Sequence, residues 1–305
     1  MRKFGRIVIF CVGVAFLNCA SLLATEDEKQ GPIFVVTEEN DLFSNPFTAD
    51  HTDRHYTQGL KLTYLGGDDE MPGWAGKVAD ALPTWGIDVS TRDFGYAFGQ
   101  NIYTPENLLT SESITNDRPY GGWLYFGAIL LRQGVTGNAQ IPVMENFEVD
   151  LGMTGKASLA EAAQENFHRW FMPSDIPEGW HNQLANEPGL LLKYQRPWRL
   201  SVNEGTARYV DFIPHTGGEV GNVEIFGNLG ATLRVGYNLP QDFGVQINDS
   251  PGSANGGMTP RSPPFGAHLF GSVDGWVRGP QSLPRRQLVS KQRERRAHPV
   301  GGGPD

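Results

Sequence analysis

Cysteine is almost absent from this 305-residue chain. The two cysteines, Cys11 and Cys19, both lie in the first 24 residues, so the rest of the chain can form neither a disulfide nor a cysteine-ligated metal site. Long apolar runs are also missing, because no window beyond the N-terminal segment approaches the length of about 20 residues that a membrane-spanning helix needs. If the folded protein enters a membrane, it must therefore do so as a β-barrel.

Positive charge is scarce as well. The chain has 25 Lys and Arg against 34 Asp and Glu, and the resulting net charge of −9 argues against a nucleic acid as partner. With 38 Gly and 21 Pro, long helices are disfavoured. The length allows one large domain or two ordinary ones.

The N-terminus has the three parts of a secretory signal peptide. Basic residues precede the apolar run Ile7 to Leu17, and small residues follow it, with Ala24 as the predicted last residue before cleavage. The apolar run is too short for a membrane anchor, which needs about 20 residues. We therefore predict that residues 1–24 are a cleaved signal peptide and that the protein is exported.

Apolar and polar residues alternate with a period of two in several segments, as the wall of a barrel requires. Phe147 and Val149, for example, alternate with Glu148 and Asp150. The predicted strands cover residues 33–40, 56–65, 93–102, 122–133, 146–155, 189–196, 208–213, 222–237 and 267–275. The pattern predicts an all-β, antiparallel fold of about nine strands, with a short turn at residues 216–221.

This alternation fits two architectures. In a soluble sandwich the polar face points to water, whereas in an outer-membrane barrel the apolar face points to lipid and the polar face to the lumen. Periodicity alone does not separate them. Aromatic residues at strand ends, namely Tyr64, Trp123, Tyr125 and Tyr237, are typical of the girdles at membrane interfaces and favour the barrel.

Polar residues crowd the connection between the first two predicted strands. Asn40 and Asp41 end the first strand and Thr57 begins the second. The loop between them contains Asp50, His51, Asp53, Arg54 and His55. Long connections follow the first, third and fifth strands, and a barrel with a periplasmic N-terminus has its long loops on the outer side. We therefore expect this polar loop at the outer rim.

A helix is predicted over residues 156–171, in the connection after the fifth strand. Ser158 and Glu161 have the spacing of a capping box, and the interior is rich in alanine, which favours helix. The predicted apolar stripe consists of Leu159, Ala163, Phe167 and Trp170. Gln164 and His168 are one turn apart, so both side chains point the same way. A histidine on a helix is more often a surface or packing residue, but this pair points toward the predicted rim.

Five short motifs occur in order between residues 34 and 244. They are Glu39-Asn40-Asp41-x-Phe43, Thr52-Asp53-Arg54-His55-Tyr56-Thr57-x-Gly59, Gln100-Asn101-Ile102-Tyr103-Thr104-Pro105, Gln164-x-x-x-His168 and Gly179-Trp180-x-x-Gln183-Leu184-x-x-Glu187-Pro188. Each alone is a weak signal. Together they resemble the outer-membrane lipid A deacylase family, the LpxR-type barrels that remove the 3′-acyloxyacyl chain from lipopolysaccharide.

The resemblance implies a twelve-stranded antiparallel transmembrane β-barrel with a short helix in an extracellular loop. It also implies a monomeric, calcium-dependent esterase of the cell outer membrane whose substrate is lipid A. The chain departs from the family pattern at Gly155-Lys156, where the family commonly has Gly-Pro, so the start of the helix stays open.

The resemblance also implies roles for individual residues. His168 would be the general base that activates water, and Gln164, Asn40 and Thr57 would position the substrate or the water. A calcium ion held by oxygen ligands would stabilise the oxyanion. Its implied ligands are Asp41, Asn40 and Asp175, where Asp175 shares with Ser174 the place of an acidic residue in the family.

The strand pattern ends near Val277. The tail 277–305 has no Phe, Trp or Tyr, and it carries seven Lys and Arg against two acidic residues. Two explanations remain open, a disordered basic tail or a change of reading frame near Trp276. We expect residues 25–276 to form a barrel that lacks about three strands of the family's twelve. Because an open edge in lipid leaves backbone groups unpaired, we expect the chain to assemble poorly and to be inactive.

Two other functions remain open on the residues alone. The chain could be a non-catalytic barrel, a porin or structural protein, in which the polar rim residues are merely solvated. It could also be an outer-membrane phospholipase. The sequence contains no G-x-S-x-G nucleophile elbow, which argues against a serine hydrolase of that fold, and it contains no H-E-x-x-H zinc motif and no P-loop.

Overall fold

Eleven strands form one sheet in the computed structural model, which describes residues 11–17, 32–40, 57–66, 70–112, 117–171, 173, 176–204, 207–244 and 266–279. The strands are β1 (Cys11–Leu17), β2 (Ile33–Asn40), β3 (Gln58–Leu65), β4 (Ile87–Tyr103), β5 (Gly121–Thr136), β6 (Ile141–Thr154), β7 (Pro188–Pro197), β8 (Leu200–Glu204), β9 (Ala207–Gly221), β10 (Ile225–Tyr237) and β11 (Gly266–Arg278). The helices of this part are α1 (Gly73–Ala81) and α2 (Ala160–Phe171), with short 3-10 turns at Gly137–Ala139, Gly155–Ser158 and Trp180–Asn182. Within the described ranges, neither helix has the length and apolar character to cross a bilayer.

The strands follow the order β1-β11-β10-β9-β7-β6-β5-β4-β3-β2, and β8 pairs with β9 beside this path. Every pairing is antiparallel. Lys61 of β3 donates hydrogen bonds to both carboxylate oxygens of Glu148 of β6, at 2.8 and 2.7 Å. These strands are three positions apart, about 14 Å in a flat sheet. The sheet is therefore curled into a half-barrel, and the predicted antiparallel barrel-type fold is confirmed.

The two faces of the sheet are the reverse of those in a soluble protein. The outward face is apolar and exposed, with Phe34 at 75% and Leu229 at 70% exposure, whereas the inward face buries charged residues such as Glu148 at 1% and Asp150 at 0%. Soluble proteins almost never bury such residues on this scale. A barrel in lipid does so, because its interior is polar and its outside is apolar. The burial pattern therefore decides for the barrel over the soluble sandwich.

The buried charges of the lumen are paired, as a low-dielectric interior requires. The pairs include Lys61–Glu148 at 2.7 Å, Lys193–Asp150 at 2.8 Å and Arg234–Asp211 at 2.5 Å. Removing one partner of such a pair leaves an uncompensated buried charge, which destabilises by about 3–5 kcal/mol. The ion pairs therefore link strands across the inner face of the sheet.

All nine predicted strands are present, but the number of strands and the turn at residues 216–221 need correction. The sequence predicts about nine strands, whereas the described residues form eleven. The short β8 was missed, and β1 consists of residues predicted to be the apolar run of the signal peptide, which periodicity cannot distinguish from a strand. Residues 216–221 are not a turn but the second half of β9. Gly217 and Gly218 look like turn residues, but here they are strand residues at which a Cβ would meet a backbone oxygen at 2.8 or 2.7 Å, so the close approach of neighbouring strands accounts for the glycines.

The C-terminal boundary also differs slightly from the expectation. β11 continues to Arg278, two residues past the predicted end of the barrel at Trp276. The rest of the predicted tail, from residue 280 onward, lies outside the described residues. Cleavage after Ala24 stays a prediction.

The register defines two edges of the sheet. Asn40 pairs with Gln58, Gln58 with Ile102, and Ile102 with Gly122. The edge at which β2, β4 and β6 end is called the α2 edge here, because α2 follows β6. The opposite edge, where α1 connects β3 to β4, is called the α1 edge. The prediction that the first, third and fifth predicted strands end on the same side is thus confirmed.

Candidate active site at the α2 edge

Helix α2 packs against the outward face of the barrel wall, and one glycine makes this possible. A Cβ at Gly122 of β5 would lie 2.0 Å from the Ser158 hydroxyl oxygen and 2.3 Å from the Ala160 Cβ. Gly122 has the same strand parity as Phe126, which is exposed on the outside of the wall. Gln100 of β4 adds a hydrogen bond from its amide to the Ser158 carbonyl oxygen at 2.6 Å. The start of α2 is therefore seated directly on β4 and β5.

The helix starts later than predicted and without the expected capping box. Residues 155–158 form a 3-10 turn, Leu159 has a left-handed backbone with φ 60°, and α2 begins at Ala160. The Ser158 hydroxyl donates to the Gly155 carbonyl at 2.6 Å. Glu161, the expected capping partner, instead accepts a hydrogen bond from the Gln183 amide at 2.7 Å. Contacts with the following loop, which the sequence does not reveal, thus replace the local cap.

The buried face of α2 is its polar face. Gln164 is 2% exposed and His168 is 3% exposed, and they share this face with Ala160. The predicted apolar stripe is only partly buried: Leu159 and Trp170 are exposed, the latter at 79%, whereas Ala163 and Phe167 are half-buried. The prediction that Gln164 and His168 point the same way is confirmed. The sequence could not show that the pair points into the protein.

Trp180 holds Gln164 in place. Its indole N–H donates to the Gln164 Oε1 atom at 2.9 Å, and its ring lies 4.9 Å from the Tyr120 ring. The two rings, Ala160 and Ile102 form one buried cluster under the helix. The amide nitrogen of Gln164, Nε2, has no hydrogen-bond partner among the described residues. Trp180 is part of the motif that begins at Gly179, but the sequence alone does not predict its contact with Gln164.

The other predicted site residues have different surroundings. The Thr57 hydroxyl is 2.7 Å from the Thr104 hydroxyl, and its backbone N–H donates to the Ile102 carbonyl at 3.0 Å. The hydrogen bond that the structure shows for the Thr57 side chain therefore goes to the residue that follows β4 rather than to α2. Asn40 lies opposite Gln58 in the register of β2 and β3, next to the wall that α2 covers.

A groove of about 270 Å³ lies between the wall and the side of α2 that carries Ala163 and Phe167, next to the face that buries Gln164 and His168. Its lining residues are Gln58, Leu60, Gln100 and Ile102 of the wall and Ala163, Asn166, Phe167, Trp170 and Phe171 of the helix. This α2 groove combines three amide side chains with a larger number of apolar ones. Such a lining suits a ligand that has both an acyl chain and a polar part.

The predicted calcium site remains untested by the geometry. Asp41 and Asp175 lie outside the described residues, and of Asn40 only the backbone position is described. Within the described ranges, no three His, Asp, Glu or Cys side chains come together as a metal site. The predicted donor set of carboxylate and amide oxygens has the chemistry that calcium prefers.

Comparison with known proteins gives two matches. A sequence model of the family described as "Outer membrane protein LpxR" matches residues 8–280. The solved structure of LpxR from Salmonella typhimurium is similar with a TM-score of 0.52 at 14% identity, covering 79% of this chain and 99% of that chain. At this identity the structural likeness indicates a shared fold. No curated protein sequence gives a significant match.

Proposed function

The chain belongs to the LpxR family of outer-membrane proteins, and we propose that it is a lipid A deacylase. The proposed reaction is hydrolysis of the ester that links the 3′ acyloxyacyl chain to lipid A of lipopolysaccharide, by a monomer in the outer membrane. The observation that carries the proposal is the buried pair Gln164 and His168 on α2. An amide and an imidazole buried against a barrel wall, beside a groove with amide and apolar lining, suit ester hydrolysis of a lipid.

His168 acts as the general base in this proposal. Its ring accepts a proton from the attacking water while the water oxygen adds to the ester carbonyl carbon, and the proton then passes to the departing sugar oxygen. Gln164, whose Oε1 accepts a hydrogen bond from Trp180, orients the reacting groups through the N–H groups of its Nε2 atom. Asn40 and Thr57, at the adjoining ends of β2 and β3, position the substrate or the water in this proposal.

The α2 groove accounts for substrate binding. Phe167, Trp170 and Phe171 of the helix offer apolar surface for an acyl chain, and Gln58 and Gln100 offer amides for the polar part of the lipid. In the proposal, calcium would be held by Asp41, Asn40 and Asp175. A bound calcium ion supplies positive charge that stabilises a developing oxyanion.

The test is hydrolysis of purified lipid A by the full chain in bilayers, followed by mass spectrometry of the product. Heat-modifiable gel mobility and lipid A hydrolysis of the wild type, measured first, test the expectation that the chain assembles poorly and is inactive. If the wild type neither inserts nor hydrolyses lipid A, that expectation is confirmed, and the variants are compared in a chain whose codons after Trp276 are restored to the original frame. The His168→Gln variant should insert like the wild type but lose about 10²–10⁴-fold in rate, the usual contribution of a general base. His181→Gln changes an exposed histidine and should keep full activity. Full activity of the His168→Gln variant excludes His168 as the base.

The same assay separates the alternatives. Chelation should stop the reaction and calcium should restore it, and Asp41→Ala should lose this response. Activity that resists strong chelators removes calcium from the proposal. Hydrolysis of glycerophospholipids instead of lipid A favours a phospholipase, and an inserted chain that hydrolyses neither lipid is a non-catalytic barrel.

A further inference from the structure

Helix α1 exposes its large apolar side chains and buries its small ones. Ala75 and Ala79 are almost completely buried against the protein, whereas Trp74 is 57% exposed and Val78 is 47% exposed. Trp74 and Val78 are one helical turn apart, so they form one outward surface. A helix in contact with water is expected to show the opposite arrangement.

Trp74 continues the lipid-facing wall of the barrel. Its ring packs edge-on against Phe94 at 5.1 Å, and Phe94 packs against Tyr96 at 5.2 Å. Tyr96 in turn stacks on Phe126 at 5.6 Å, and both are exposed on the outside of the wall. Trp74 is therefore the first ring of a column that extends from the α1 edge across the apolar outer face.

Trp85, four residues after α1, is placed in the same way. It is half exposed, and its ring lies 6.1 Å from Phe147 and 5.4 Å from Tyr194. The Arg196 guanidinium donates to the Trp85 carbonyl oxygen at 3.1 Å and holds this part of the connection on β7. Trp85 therefore also lies at the α1 end of the lipid-facing wall.

The strand register places these aromatic contacts at one level. Phe94 pairs with Leu130, Leu130 with Phe147, and Phe147 with Tyr194. The row crosses four neighbouring strands, β4 to β7, and carries Trp74 near one end and Trp85 near the other. A row of aromatic rings at one level of a barrel is the arrangement found where the apolar band meets the lipid headgroups.

Charged side chains border this apolar surface. Lys77 is exposed and three residues from Trp74, and Asp80 forms an exposed ion pair with Arg92 of β4. An apolar surface next to basic side chains is the composition of helices that lie in a membrane interface. Lysine side chains can also extend toward the headgroups while their stems cover apolar surface.

We propose that α1 lies in the plane of the membrane interface at the α1 edge, with Trp74, Val78 and Trp85 seated at the boundary between phospholipid headgroups and acyl chains. The occupant of this surface is the phospholipid leaflet that surrounds the barrel, because the surface is continuous with the lipid-facing wall through the ring contacts of Trp74 and Trp85. The assignment rests on the barrel fold and is independent of the proposed ester hydrolysis.

Quenching of tryptophan fluorescence by brominated phosphatidylcholine tests the assignment on the full chain in vesicles. Bromines at carbons 6 and 7 lie near the interface, and bromines at carbons 11 and 12 lie deeper. The wild type should be quenched more by the shallow bromines. The double variant Trp74→Phe, Trp85→Phe should lose most of this shallow excess, whereas Trp123→Phe, which changes a buried ring, should keep it.

Each other outcome overturns the proposal. If the double variant keeps the shallow excess, the two tryptophans are not in the interface. If aqueous iodide quenches the wild type strongly but the double variant weakly, the surface faces water. If protection of these rings from iodide depends on protein concentration, a second copy covers the surface in place of lipid. Val78→Cys carrying a nitroxide label, in a variant without Cys11 and Cys19, gives a second readout. Its accessibility to oxygen should exceed that to a water-soluble nickel complex, and the reverse overturns the proposal.

Discussion

The two helices of the barrel solve the same packing problem in different ways. Both lie at an edge of one wall, bury one face against the protein and leave aromatic rings exposed. Helix α1 buries Ala75 and Ala79, whereas α2 buries Gln164 and His168. Burial of alanine carries no desolvation penalty, but a buried polar group without its hydrogen bonds costs about 1–3 kcal/mol. The polar face of α2 is therefore the more costly of the two to bury, and the proposed ester hydrolysis gives a reason for it.

Among the changes to the packing of the two helices, the largest expected effect comes from moving α2 away from the wall. Gly122→Val places a side chain where even a Cβ would meet Ser158 and Ala160 at 2.0 and 2.3 Å, so the helix must shift. A displacement of about 1 Å in an active site can lower the rate about 100-fold. We expect a loss of that size in kcat/KM on lipid A, with unchanged insertion on heat-modifiable gels.

The matched control is a glycine in the other helix. A Cβ at Gly73 of α1 meets nothing within 4 Å, so Gly73→Ala should leave both activity and insertion unchanged. If the Gly122→Val variant retains full activity, the reaction does not depend on the close packing of α2 against β5. An equal loss in both variants means that the α2 edge has no special role.

A smaller effect is expected from the hydrogen bond between Trp180 and Gln164. Trp180→Phe keeps an aromatic ring against Tyr120 but removes the N–H that Gln164 accepts at 2.9 Å. A buried carbonyl left without its donor costs about 1–3 kcal/mol, and about 1.4 kcal/mol corresponds to a factor of ten in rate. We expect kcat to fall about tenfold while KM stays the same.

The control for this variant again lies at the α1 edge. Trp85→Phe removes an indole N–H that is remote from Gln164, and kcat should not change. A change in KM alone for Trp180→Phe indicates that Trp180 shapes the groove instead of positioning Gln164.

The two helices also show what the sequence can predict about the fold. The alternation of residues such as Phe147 and Glu148 locates the strands, because it depends only on neighbouring residues. Helix α1 was not predicted, since Pro72, Gly73 and Gly76 read as turn residues. It forms because Ala75, Ala79 and the Trp74 ring find contacts on the wall, and such tertiary contacts leave no local pattern.

The candidate site is predictable to a similar extent. The spacing of Gln164 and His168 predicts that they share a face, since helical geometry alone decides this. Which face turns inward depends on the surroundings, because lipid outside the barrel reverses the usual preference for an apolar buried face. The partnership of Gln164 with Trp180 joins residues 16 apart through a loop, and no periodicity reports such a contact.

The smallest effect on activity is expected from changes to the exposed aromatic rings. Such changes test whether α2 presents its rings to the lipid substrate while α1 presents its rings to the bilayer. Trp170 of α2 lines the groove and is 79% exposed, so Trp170→Ala should weaken binding of the acyl chain without touching the reacting groups. Loss of binding that is equal in the ground and transition states raises KM and leaves kcat unchanged. We expect a rise in KM of a few-fold, because a ring that is mostly exposed contributes less than the roughly 1–3 kcal/mol of a buried contact. Trp74→Ala at the α1 edge should change neither constant, since its ring contacts the bilayer and not the substrate. Equal shifts in KM for both variants indicate that Trp170 only anchors the barrel, and the groove then needs another occupant.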